Sequence, residues 1–91
     1  MPIGNVPYTT HLPVNIVLQG SQAMSGASSQ VVTLAQAFTT IDSFDIYFSD
    51  NATNFVPGNI GVVKLSTSSI KFQTVDGSTS TQTINWAVIG F

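Results

Sequence analysis

Cysteine, arginine and glutamate are absent from this chain of 91 residues, and lysine occurs only as Lys64 and Lys71. Without cysteine, the chain has neither a disulfide nor a thiolate metal site. Charged residues make up 7% of the sequence, against about 25% in an ordinary soluble domain. Two lysines cannot neutralise a run of phosphates, so nucleic-acid binding lacks its main driving force. We therefore expect no nucleic-acid partner.

Long apolar runs are also missing. No stretch approaches the roughly 18 residues that a membrane helix needs, so we expect no membrane insertion. The first residues, MPIGNVPYTTHLP, do not place a basic segment before an apolar one, as a secretory signal would.

A domain of this length has a marginal core of its own, and small domains compensate with disulfides, metals or oligomerisation. The polar residues are mostly Ser, Thr, Asn and Gln. Such side chains hydrogen-bond across a contact without the desolvation penalty of a buried ion. The composition therefore predicts a surface that is covered by further copies of the chain or by a larger structure, and we expect a homo-oligomer.

Val, Ile, Thr and Phe are abundant, and apolar residues recur at a period close to two, which is typical of strands. The pattern predicts an all-β fold, a six-stranded antiparallel β-sandwich over residues 13–91, with a small closed barrel as the alternative. The predicted strands cover residues 14–19, 30–36, 40–48, 59–65, 69–75 and 81–89.

Turn residues separate these segments. A loop rich in Gly and Ser is predicted over residues 20–29. Pro57-Gly58 predicts a type II turn, because glycine accepts the positive φ that this turn requires. Asp76-Gly77 predicts a hairpin between the fifth and sixth strands.

Residues 1–12 are predicted to form an extended N-terminal arm, because Pro2 and Pro7 disfavour a helix. The arm is apolar enough to dock on a neighbouring molecule, although a frayed terminus is an equal alternative. The residues predicted to dock are Ile3, Val6, Tyr8 and His11.

Several strands carry apolar residues on both faces, whereas a sheet with one face in water alternates more cleanly. We expect the second face to form a subunit interface. The residues concerned are Val17, Val31, Val63, Ala87 and Ile89.

Catalytic chemistry has little support. The single histidine, His11, lies in the arm, and no G-x-S-x-G motif is present. We predict that the protein is not an enzyme, with a small hydrolase built on His11 as the weakest hypothesis. No cofactor is expected.

Ser43, Asp45 and Tyr47 share the polar face of the third strand and form a candidate ligand or interface patch. The simpler interpretation is a face in contact with solvent or with another subunit. Trp86 shares a face with Ile84 and Val88, which favours a core position over a sugar-stacking platform.

Asp50, Asn51 and Asn54 offer oxygen ligands for Ca²⁺. They lack the regular acidic spacing of a dedicated loop and are more typical of turn residues. We therefore predict no metal site.

Two stretches carry a resemblance to known proteins. VVTLAQAFTTIDSFDIYFSDN, residues 31–51, resembles the opening of small β-sandwich domains in bacteriophage virion proteins. VVKLSTSSIKFQTVDGSTSTQTINWAVIGF, residues 62–91, resembles their ending, where a strand flanked by Ser and Thr leads through a glycine turn to Trp86-Ala87-Val88-Ile89-Gly90. The outline is also similar to the H-type lectin domain, a six-stranded sandwich that assembles into trimers.

The resemblance implies a homotrimeric structural protein located in the virion. It would be a capsid decoration protein, a head fibre or a tail-fibre tip, with other capsid or tail proteins as partners. The alternative is a lectin-like module that recognises a host surface glycan. The sugar-binding residues of the lectin family have no counterparts here, since the chain lacks arginine and its one histidine lies in the arm.

Overall fold

A computed structural model describes residues 15–91, and this part of the chain is built from strands joined by turns and loops. It contains no helix, and therefore none that is long and apolar enough to cross a membrane. The docking arm and its residues Ile3, Val6, Tyr8 and His11 lie outside the described residues. The strands are β1 (Ile16–Ala23), β2 (Ser29–Thr33), β3 (Phe44–Asp50), β4 (Ile60–Ser66), β5 (Ser69–Thr74) and β6 (Thr83–Gly90).

These strands form two three-stranded sheets in which every pair is antiparallel. Sheet 1 has the order β1-β6-β3, and sheet 2 has the order β2-β5-β4. The two sheets face each other across the core, where the Phe48 ring of sheet 1 lies 5.5 Å from the Phe72 ring of sheet 2. The prediction of an all-β protein with six antiparallel strands is confirmed, and the closed barrel is not formed.

The core is supplied mainly by the central strand of each sheet. Ile84 and Val88 of β6 and Ile70 and Phe72 of β5 have no solvent-accessible surface. Central strands are covered on both sides by neighbours, so their inward side chains lose the most contact with water. Loop residues close the core at its ends; they are Met24, Leu34 and Phe38, the last stacked on Phe44 at 4.5 Å.

Two strand boundaries differ from the prediction in informative ways. β1 continues through Ala23, where a loop was expected, because its residues stay in register with β6, with Gly20 opposite Trp86. β3 begins at Phe44 instead of residue 40. The segment before it turns, and the Ser43 amide donates to the Thr40 carbonyl at 3.1 Å.

Both turn predictions are wrong in part. Asp76-Gly77 does form a turn, with Gly77 at φ 79°, but β5 and β6 belong to different sheets. Too many residues separate this turn from β6 for a tight hairpin, and the chain uses them to cross between the sheets. In the loop before β4, Asn54 has the positive φ of 63°, whereas Gly58 does not have a positive φ. Pro57-Gly58 is therefore not a type II turn.

Candidate functional site

The outer face of sheet 1 combines exposed apolar side chains with neutral polar ones. The register places nine outward side chains in three rows across the three strands. Apart from Asp45, none of them carries a charge. From here on, "the outer face" means these residues: Val17, Ile89 and Asp45 in the first row, Gln19, Ala87 and Tyr47 in the second, and Ser21, Asn85 and Ser49 in the third.

Three large apolar side chains of the outer face are exposed: Val17 by 59%, Tyr47 by 57% and Ile89 by 38%. Val31 and Val63 of sheet 2 are exposed as well, so most of the apolar second-face residues singled out from the sequence do face solvent in this chain. Single exposed apolar residues are ordinary on protein surfaces, whereas contiguous ones mark contact sites. One charge adjoins them on each sheet: Asp45 is paired with Ile89 on sheet 1, and Lys71 lies between Val31 and Val63 on sheet 2. Sheet 1 differs in that Tyr47 adds a large exposed ring diagonally across from Ile89.

The sequence-predicted patch is divided by the structure. Asp45 and Tyr47 lie together on the outer face, as their spacing predicts. Ser43 precedes the strand, and its hydroxyl contacts the Phe91 carbonyl at 2.6 Å and the Thr40 carbonyl at 2.9 Å. The Ser43 side chain thus holds the segment after β6 against the start of β3.

A shallow depression of about 330 Å³ lies beside Tyr47 and is lined by Ser49, Asn85 and Ala87 among others. The Asn85 side-chain amide donates to Asn51 Oδ1 at 3.0 Å, which fixes its orientation. The depression therefore combines an exposed aromatic ring with a hydroxyl and a positioned amide. Groups of this kind stack on and hydrogen-bond to small polar ligands.

Trp86 faces inward and packs against the core while remaining partly exposed. Its ring lies over Gly20, so close that a Cβ on Gly20 would be 2.9 Å from Trp86 Cζ2. The indole Nε1 is buried and has no hydrogen-bond partner among the described residues. The prediction that Trp86 packs in the core with its strand-mates is confirmed, although it is less covered than Ile84 and Val88.

Asp50 was among the residues considered as Ca²⁺ ligands, and its carboxylate accepts hydrogen bonds from other groups of the protein. Its Oδ1 accepts from the Ala52 amide at 2.9 Å, and its Oδ2 accepts from the Gln82 side chain at 3.0 Å. These hydrogen bonds, that of Ala52 first, hold the pKa of Asp50 below its usual value. Within residues 15–91, no three His, Cys, Asp or Glu side chains gather as metal ligands would. Asp50 therefore acts as a turn residue.

Two features escaped the sequence analysis. Lys64 points inward from β4, and its Nζ donates to the Ile41 carbonyl at 2.8 Å and to the Phe44 carbonyl while lying 4.4 Å from the centre of the Phe44 ring. Its position two residues after Val62 could have indicated that Lys64 points inward, because alternate residues of a strand face the same side of the sheet and Val62 faces the core. Phe55 and Val56 protrude from the loop between β3 and β4 and are strongly exposed, which an apolar pair inside a turn-rich segment could have indicated.

No protein-family model, no curated protein and no solved structure matches this chain.

Proposed function

We propose that this protein is a non-enzymatic structural module of a bacteriophage particle that acts as a homo-oligomer through the outer face of sheet 1. The observation that carries the proposal is the run of exposed Val17, Tyr47 and Ile89 on a face whose only charge is Asp45. A surface of this kind is stabilised when a second copy removes it from water, at about 25 cal/mol per Å² of apolar area.

The phage assignment rests on the resemblance of residues 31–51 and 62–91 to virion sandwiches. The same resemblance implies that the oligomer is a trimer. It also implies that the protein is located on the capsid as a decoration protein, or on the tail as a fibre component. Symmetric repetition suits such a role, because contacts that are weak singly add up when several copies bind one surface.

The first experiment measures the molar mass of the purified protein by light scattering over a wide concentration range. The proposal expects an oligomer. The resemblance to virion proteins makes the more specific expectation a trimer. Tyr47→Ser, which removes an exposed ring from the outer face, should shift the equilibrium toward monomer. A matched change on sheet 2, Val63→Ser, should not. A wild-type protein that stays monomeric at every concentration overturns the proposal.

The second experiment addresses the particle. Antibody labelling and copy number per virion separate the two locations: hundreds of copies indicate the capsid, and about a dozen indicate the tail. Deleting residues 1–12 should leave the sandwich folded and abolish attachment. Normal decoration by the truncated chain would show that the arm has no docking role.

Glycan recognition is the second candidate, and the depression beside Tyr47 is the observation that favours it. A glycan array with the purified oligomer tests it. Binding of one sugar class that is lost in both Tyr47→Ala and Asp45→Ala supports a lectin-like module. An array without any binding removes the candidate and leaves the structural role intact.

A further inference from the structure

Each sheet of the sandwich ends in two edge strands: β1 and β3 in sheet 1, and β2 and β4 in sheet 2. An edge strand presents a row of unpaired N–H and C=O groups that can template a strand from another chain. Natural proteins block this by keeping edge strands short, by placing charges or prolines in them, or by disturbing them with a bulge. The four edges of this protein differ sharply in these respects.

Both edges of sheet 2 are protected. β2 has only five residues. β4 carries Lys64 on its inner face, and its register with β5 shifts between Lys64 and Ser66. Shortness, an inward charge and a bulge are three of the known ways to keep a strand from pairing further.

Both edges of sheet 1 are open within residues 15–91, in the sense that neither edge strand is as short as β2 or interrupted by a bulge like β4. β1 has eight residues with no charge and no proline. β3 is the seven-residue segment FDIYFSD, in which Asp45 faces outward and Asp50, opposite the buried Ile84, lies on the inner face at the end of the strand. Both pair with β6 in an unbroken register. Within residues 15–91, no strand covers the far side of either one. Phe44-Asp45-Ile46-Tyr47-Phe48 is also rich in aromatic and β-branched residues, which is typical of segments that form intermolecular strands.

We propose that copies of this chain join edge to edge, with β1 of one copy pairing with β3 of the next. The inference rests on the self-association proposed above and adds a second contact, through the strand edges, which by itself extends sheet 1 and does not cover its outer face. The occupant of each open edge is the complementary edge of an identical chain, and sheet 1 continues across the junction.

The pairing of β1 with β3 is favoured over the two symmetric alternatives, β3 with β3 and β1 with β1. β3 contains Asp45 and Asp50, whereas β1 is neutral. Pairing β3 with β3 would bring four carboxylates onto two strands, where like charges repel. Pairing β1 with β1 would leave the apolar β3 edge open. Only the pairing of β1 with β3 uses both open edges and keeps the carboxylates on one side of the junction.

Strand direction is compatible with a closed ring. β1 and β3 are both antiparallel to β6, so they point the same way within one copy. A rotation about an axis along the strands therefore brings β1 of one copy beside β3 of the next as a parallel pair. Such head-to-tail contacts close into a ring when the rotation allows it, and a ring of sheet 1 copies has no free edge in that sheet.

Amide hydrogen exchange, read residue by residue in the oligomer, tests the junction directly. In an edge strand, alternate N–H groups point away from the sheet and exchange quickly unless another strand covers them. The proposal expects those amides in β1 and β3 to exchange at least about tenfold more slowly than the corresponding amides of β2 and β4. It also expects the protection to disappear on dilution to monomer. Equally fast exchange at all four edges of the oligomer overturns the proposal.

A charge series at Gln19, an exposed outer-face residue of β1, tests which edges meet. Gln19→Glu places a negative charge near Asp45 of the next copy and should raise the dissociation constant about two- to fivefold at low ionic strength. Gln19→Lys should leave it unchanged or lower it. If Glu and Lys weaken association equally, β1 meets β1 and the proposal is wrong. Thr33→Glu and Thr33→Lys, on the protected β2 edge, are the matched controls and should have no effect.

The outcomes also separate this inference from the proposed function. A chain that is monomeric throughout removes both. An oligomer whose β1 and β3 amides exchange quickly removes only the edge pairing and leaves contact through the outer face. Protection of these amides that persists in the monomer would mean that residues 1–14 of the same chain cover the edge, and it would overturn the pairing between copies.

Discussion

Sheet 1 and sheet 2 have the same number of strands and share one core, but their edge strands differ in length and regularity. Sheet 2 stops at a five-residue strand and at a strand interrupted by Lys64 and a register shift. Sheet 1 stops at an eight-residue and a seven-residue strand that both pair with β6 in an unbroken register. The difference is the basis of the proposal that sheet 1 is continued by another copy, whereas sheet 2 ends in water.

The largest effect is expected inside sheet 1, at Gly90 of β6. A Cβ there would overlap the Ser43 carbonyl oxygen and lie 2.6 Å from Phe44 Cα. Because the obstacle is backbone, Gly90→Ala should lower the free energy of unfolding by about 3 kcal/mol, as measured by urea denaturation. Gly61→Ala in sheet 2, where a Cβ meets nothing within 4 Å, is the control. Equal losses in the two variants would contradict the close approach of β6 to β3.

Removing the charge that protects sheet 2 should have the next largest effect. Lys64→Met keeps the apolar stem but leaves the Ile41 and Phe44 carbonyls without the amine that they accept from. We expect a loss of about 2 kcal/mol in the free energy of unfolding. A new tendency to aggregate through β4 should accompany it. Lys71→Met, on the outer face of β5, should do neither; an effect as large as that of Lys64→Met would contradict the role given to Lys64.

A matched pair of edge valines compares the two sheets most directly. Val17 on β1 and Val31 on β2 are almost equally exposed, at 59% and 54%. Val17→Glu should raise the dissociation constant of the oligomer about fivefold, as measured by light scattering, because it places a charge at the proposed contact. Val31→Glu should leave it unchanged. A reversed order would assign the contact to sheet 2.

The smallest expected effect is a loss of folding stability at low pH, to which one carboxyl group in or beside each sheet contributes. Asp50 is the last residue of β3 and Asp76 follows β5, and hydrogen bonds hold the pKa of each carboxyl below its usual value. For Asp76 the Ser78 hydroxyl is the main donor, followed by the Ser78 amide. A carboxyl with a lowered folded pKa stabilises the fold above the unfolded pKa, and this stabilisation is lost as pH falls through the folded value.

Unfolding should therefore become slightly easier as the pH falls below about 4. Asp50→Asn and Asp76→Asn should each reduce this loss, with only a small change at neutral pH because Asp76 is exposed and Asp50 is only half-buried. Unfolding curves measured at neutral and acidic pH give the comparison. An acid loss that is unchanged in the double variant would show that neither hydrogen-bonded turn contributes.

The alternating pattern was sufficient to predict six antiparallel strands and the directions of Phe44, Asp45 and Tyr47, because the alternation of side chains along a strand is a local property. It did not predict which strands lie at the centre. β6 enters between β1 and β3, and such an order depends on contacts between residues that are far apart in the sequence.

Other errors occurred where a local residue pattern does not specify the contacts that the segment makes. Asp76-Gly77 was assigned to a hairpin because the residue pair specifies a turn but not the partner of the next strand. Lys64 was not identified as a structural residue because its role depends on carbonyls that precede it by about 20 positions. The division of the predicted patch, with Ser43 tied to the backbone, follows from the short turn that precedes β3 and that no residue pattern distinguished from a strand.

The position of β6 between β1 and β3 also determines when sheet 1 can form. Only β4 and β5 are joined by a tight hairpin, so they are the pair that can form quickly. β1 and β3 have no strand to pair with in sheet 1 until β6 has been synthesised and has inserted between them. During translation β1 and the aromatic β3 segment therefore remain unpaired after sheet 2 can already form from β2, β4 and β5, and slow synthesis of β6 should favour misassembly at β3.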